Sequence, residues 1–141
     1  MKELIEKIEN SIKEIDKVDI TKLSDIFHDT LKEIKNHHKI DLYIGDFPTF
    51  IEPVYLGNNV KLGDDVLLGP NVYIGNNSEL GDYVELSNTI ILENVSLGNN
   101  FTLENCIVAK DSNLNFDILK EKNCILKGIT DTKENIVKIP F

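Results

Sequence analysis

The chain has 141 residues, 41% of them hydrophobic, enough for one domain with a modest core and too few for two full ones. Its 15 Lys and Arg against 24 Asp and Glu give a formal charge of −9, which argues against nucleic acid and anionic membrane as partners because both would be repelled. No run approaches the roughly eighteen apolar residues that cross a bilayer and no signal-peptide core opens the chain, so a cytoplasmic protein is expected.

Residues 1–40 are expected to form an α-helical hairpin, acting as a cap or an oligomerisation element. Leu4, Ile5, Ile8, Ile12 and Ile15 recur at helical spacing among Lys and Glu, which is the pattern of a one-sided amphipathic helix. Thr21 or Ser24 can cap a second helix with the stripe Leu23, Ile26, Phe27, Leu31 and Ile34, which Asn36, His37 and His38 end. His28, His37 and His38 are the only histidines. No other ligand type clusters beside them, and polar groups at a helix C-terminus are the simpler reading than a metal or catalytic site.

Residues 41–128 carry a six-residue repeat. Ile44, Phe50, Leu56, Leu62, Leu68, Ile74, Leu80 and Leu86 share one position, and all are large and apolar. Four places on stand Pro48, Val54, Val60, Val66, Val72, Ser78, Val84 and Ile90, mostly β-branched as narrow strands prefer. Between them lie Gly57-Asn58-Asn59, Gly63-Asp64-Asp65 and Gly75-Asn76-Asn77, residues that tolerate tight turns. A short strand and a corner, three times per coil of roughly eighteen residues, fits this period, with coils stacked about 4.8 Å apart. The expected fold is mainly β: a parallel β-helix of about four to five coils. This region carries only Lys61 and Lys110 against twelve acids up to residue 119.

The repeat is one residue short at Leu86-Ser87-Asn88-Thr89-Ile90 and again at Leu103-Glu104-Asn105-Cys106-Ile107, with an echo at Asn123-Cys124-Ile125-Leu126. The spacing predicts that these units share one corner of successive coils, so that Asn88, Asn105 and Asn123 form a structural ladder of amides. Cys106 then lies over Thr89 and under Cys124. Both thiols are expected to stay reduced and structural, with no metal bound. Residues 129–141 leave the repeat through a polar turn and close with a strand at Ile136-Val137-Lys138-Ile139.

The run Val54-Tyr55-Leu56-Gly57-Asn58-Asn59-Val60-Lys61-Leu62-Gly63 resembles the hexapeptide-repeat superfamily, whose β-helices are left-handed. Gly81-Asp82-Tyr83-Val84-Glu85-Leu86-Ser87-Asn88-Thr89-Ile90-Ile91 is similar to the C-terminal domains of sugar-phosphate nucleotidylyltransferases, including the N-acetylglucosamine-1-phosphate uridylyltransferase group. The resemblance implies a left-handed helix and a homotrimer. In that family the β-helix follows a nucleotidyl-transfer domain, and some members move an acetyl group from acetyl-CoA to an amino sugar.

Two departures bear on function. No glycine-rich nucleotide loop precedes the repeat, and forty residues cannot hold a nucleotide-binding sheet. No histidine follows His38, although the family's acetyltransferases use a coil histidine as general base. Gly81-Asp82-Tyr83 stands where relatives often have Gly-His-Phe, and Leu97-Gly98-Asn99-Asn100 where a Pro-His pair is common. Asp82 and Glu85 are the remaining candidate bases, and an exposed carboxylate with a pKa of about 4 is a poor one at neutral pH. The reading is therefore a stand-alone β-helix module, a non-catalytic scaffold for oligomerisation or for a partner nucleotidyltransferase, needing no cofactor. The alternative is an acyltransferase that takes acetyl-CoA at a site between subunits.

Overall fold

A computed structural model describes residues 1–13, 17, 19–40 and 42–141. Two helices come first, α1 at Lys2–Ile12 and α2 at Ile20–Ile34. Asp19, rather than Thr21 or Ser24, caps α2: its backbone is extended and its carboxylate accepts from the Lys22 N–H at 3.2 Å. Thr21 and Ser24 fall inside the first turns, where a cap cannot sit. Ile15, placed by the sequence in the first stripe, lies outside the described residues.

The rest of the chain is a parallel β-solenoid of about five turns. Its first face stacks Tyr43–Ile44, Val60–Leu62, Glu79–Leu80, Ser96–Leu97, Asn113–Leu114 and Ile129–Thr130. The second stacks Thr49–Phe50, Leu67–Leu68 and Glu85–Ser87, and the third Val54–Leu56, Val72–Ile74 and Thr89–Ile91. Above these, Phe101–Val108 and then Leu119–Lys127 run through both the second and third faces. The register is set by the repeat: Leu62, Leu80, Leu97 and Leu114 stack on the first face, and Leu56, Ile74, Ile91 and Val108 on the third. All are buried in one continuous core. Coil packing also explains glycine where a corner comes close to its neighbour: a Cβ on Gly98 would collide with the carbonyl oxygen of Phe116.

The helical hairpin lies along the outside of the third face, not over the end of the solenoid. In each strand the middle residue points outward. On the first face these residues include Lys61 and Glu79, whereas on the third they are Tyr55, Tyr73, Ile90, Ile107 and Ile125. Ile5, Ile8 and Ile12 of α1 and Leu23, Phe27, Leu31 and Ile34 of α2 bury themselves against this apolar face. Tyr55 and Tyr73 stack at 4.8 Å, and Phe27 meets Phe141 edge-on at 5.3 Å. Full burial of each such side chain contributes about 1.5–3 kcal/mol. Ile5, Ile8 and Ile12 of the first stripe are thus covered within the chain.

The two ends differ. At the far end Val137–Pro140 pairs antiparallel with Leu119–Lys127, and Ile136 packs on the core. At the near end Lys39 covers the edge of the third face through Lys39 N–H to Val54 carbonyl and Leu56 N–H to Lys39 carbonyl bonds. Among the described residues no strand lies beneath Tyr43–Ile44 or Thr49–Phe50, and Leu42, Ile44, Phe47 and Ile51 are exposed.

Candidate functional site

Each coil turns three corners, and every described corner except the one at Ile51-Glu52-Pro53 holds a residue with positive φ. Between the second and third faces these are Asn71, Asn88, Asn105 and Asn123; between the third and first they are Asn59, Asn77, Asn94 and Asp111. Asn and Asp tolerate this left-handed backbone better than other side-chain-bearing residues. They also join the coils, since Asn59, Asn71 and Asn94 donate their amides to Asn77, Asn88 and Asp111 at 3.0, 2.9 and 2.9 Å. The register places Asn88, Asn105 and Asn123 above one another, whereas the side-chain amide bond at this corner among the described residues runs from Asn71 to Asn88, outside the expected set of three.

The third corner, between the first and second faces, is different. Its positive-φ residues are Phe47, Asp65, Tyr83, Asn100 and Ile118. Three of these five are bulky and apolar or aromatic, while all eight at the other two corners are Asn or Asp. Phe47, Tyr83 and Ile118 are 84%, 55% and 69% exposed, so core packing does not account for them. Sequence reasoning passed over this ridge. Its signal was the break in the Gly-Asx-Asx turn at Gly45-Asp46-Phe47 and Gly81-Asp82-Tyr83.

Asp82 sits beside the ridge and is committed to coil stacking. Its Oδ1 accepts from the Asp64 N–H at 2.8 Å, and its own N–H donates to Asn99 Oδ1 at 2.8 Å. Glu85 stands exposed on the second face, in register with Leu67 and Thr102. The histidines make their contacts elsewhere. His38 Nδ1 accepts from the Val54 N–H at 3.0 Å, which leaves the proton on Nε2 to donate to Glu52 Oε1 at 3.0 Å. His28 Nδ1 donates to the Ser24 carbonyl at 2.7 Å, and His37 Nε2 is 3.7 Å from Glu33. These contacts do not assemble an acid–base pair with Asp82 or Glu85.

Cys106 and Cys124 are free, buried and stacked, with their Sγ atoms 3.8 Å apart. The hydrogen bond to Cys106, together with burial, pushes the Cys124 thiol well above its ordinary pKa. Among the described residues no group of three His, Cys, Asp or Glu side chains is placed to hold a metal ion.

A groove of about 510 Å³ runs between α1 and the third face, lined among others by Glu6, Glu9, Tyr55, Tyr73 and Glu93. Burial raises the Glu9 carboxyl and the Tyr73 hydroxyl above their usual ranges. Glu93 is taken by Lys110 at 2.8 Å. Lys2, Met1 and His37 share its wall with the carboxylates of Glu6, Glu9 and Glu93. No helix among the described residues is long and apolar enough to cross a membrane.

Against known families, the model of the GMPPB C-terminal domain matches residues 50–138, more than half of the chain. No curated protein and no solved structure matches it.

Proposed function

The chain belongs to the GMPPB C-terminal domain family, and from that premise we propose that it is a non-catalytic β-helix scaffold whose partner is a sugar-nucleotide nucleotidylyltransferase. The observation that carries this reading is the employment of the coil's polar groups in holding the coils together. Asp82, which stands where domains of the resembled family often have a histidine, bridges to Asp64 and Asn99. A proton acceptor for acyl transfer needs a pKa near the working pH and a free lone pair facing the substrate. The coils carry no histidine to meet that need, and the acidic surface repels the phosphates of acetyl-CoA.

The test pairs the purified chain with a nucleotidylyltransferase lacking its own β-helix, using interferometry for binding and a thiol-release assay for acetyl transfer to an amino sugar. Saturable binding without thiol release is expected. Thiol release from acetyl-CoA, or a failure to bind any such transferase, would overturn the reading.

A further inference from the structure

We propose that the corner ridge Phe47, Tyr83 and Ile118 is the docking edge of this module, and that its occupant is a basic amphipathic helix of a partner protein. The inference rests on the scaffold reading and says where and by what chemistry the partner is held.

The first ground is conformational. Among the described residues thirteen non-glycine positions have positive φ, and ten of them carry Asn or Asp. The three exceptions all fall on one corner and all point into solvent. Ile118 is the extreme case, a β-branched residue at φ 67°. Strained positions persist where something other than local stability favours them. Exposed large apolar side chains aligned along one edge are the usual mark of a contact surface.

The second ground is spacing. Phe47, Tyr83 and Ile118 occupy every second coil, because Asp65 and Asn100 lie between them. Two coil rises amount to about 9.6 Å. Seven residues of an α-helix rise about 10.5 Å, so apolar residues seven apart on one helix face meet the three ridge side chains in turn. An extended strand, with same-face residues about 6.8 Å apart, falls out of step.

The third ground is charge. The ridge is flanked by Asp46, Asp64, Asp65, Asp82 and Asp117, and the one Lys or Arg within two residues of Phe47, Tyr83 or Ile118 is Lys120, beside Ile118, so acids outnumber bases along it. A second copy of the chain would bring the same acids to the contact and be repelled, and an anionic bilayer would be repelled as well. Lysines flanking the apolar row of a partner helix would pair with these acids, aiding capture and fixing the helix along the edge.

The test uses a fluorescent helical peptide of about 21 residues with Leu at every seventh position and Lys beside it, followed by anisotropy. The comparison protein carries Phe47→Asn, Tyr83→Asn and Ile118→Asn, which leave the charge unchanged and restore the side chain found at most other corners. Circular dichroism checks its fold, and Tyr83→Asn alone serves if the triple variant fails. The parent chain should bind, more weakly at high salt, and the triple variant should lose about tenfold or more in affinity. Binding within about twofold of the parent would reduce the effect to charge alone and overturn the proposal, as would no binding by the parent. Light scattering that finds an oligomer dissolved by the triple variant would overturn it too, because a second copy would then be the occupant. A transferase that binds parent and triple variant equally refutes the ridge and leaves the scaffold; peptide binding without transferase binding does the reverse.

Discussion

Phe27 is the side chain through which the docking of the helices on the solenoid can be measured. It is fully buried in the cluster formed by both helices and the third face, and its ring meets Phe141 at 5.3 Å with the planes 62° apart. Phe27→Ala removes the ring and leaves a cavity, a change that costs about 3–5 kcal/mol in packed cores. For a chain of this size that lowers the melting temperature by roughly 10 °C. Phe141→Ala touches a half-buried ring and should cost less. The edge-to-face pair is worth about 0.5–1.5 kcal/mol beyond area, so the double variant should cost less than the sum of the singles by about that much. Urea unfolding followed at 222 nm measures all four proteins. If Phe27→Ala costs under about 1 kcal/mol, the hairpin is not held on the third face through this side chain. Zero coupling to Phe141 would remove the ring contact from the picture.

Asn88→Ala should lose both the bond from Asn71 and the residue type that suits its φ of 46°, at a cost of about 1.5–3 kcal/mol, whereas Asn88→Gly should recover part of this; equal urea midpoints would contradict the role of the corner. Neither thiol should react with Ellman's reagent in the native state, and both should react in denaturant, because Cys106 and Cys124 are buried and the Cys124 thiol is held protonated. Fast native labelling would show that the core opens there. Burial raises the Glu9 carboxyl above the ordinary range against the opposing pull of Lys110. A raised carboxyl pKa means that the folded chain holds the proton more tightly. Its stabilising contribution is therefore full below the unfolded value of about 4.3 and is lost as pH rises through the folded value. Glu9→Gln should raise the melting temperature at pH 7 and leave it unchanged at pH 3; the same change at both would contradict the burial of this group.

The solenoid was legible in the sequence because its six-residue period is imposed at every coil: Leu62, Leu80, Leu97 and Leu114 have to stack, so their spacing is written into the chain. The two short units were legible for the same reason, since Asn88 and Asn105 must stay in register whatever lies between. The resting place of the helices was harder to read. Ile5 and Phe27 announce that they will be buried but not against what, and the answer lay in the outward residues Tyr55, Tyr73, Ile90, Ile107 and Ile125, which a pattern of inward residues does not reveal. The cap of α2 was missed because the helix starts at Ile20, three residues before its apolar stripe opens at Leu23, so Asp19 stands further from the stripe than Thr21 and Ser24 do. The ridge went unseen because Phe47, Tyr83 and Ile118 share a corner through coil stacking and not through any local motif.

The proposal that the module is a non-catalytic scaffold is tested most directly by a thermal shift with acetyl-CoA and with UDP- and dTDP-sugars. A ligand present at one hundred times its dissociation constant stabilises a fold by about 2.7 kcal/mol, which for a chain of this size is a rise of roughly 8 °C. A scaffold in which Asp82 and the corner amides are committed to joining the coils should melt at the same temperature with each ligand at about millimolar concentration. A dose-dependent rise with acetyl-CoA, or with any of the sugar nucleotides, would contradict it.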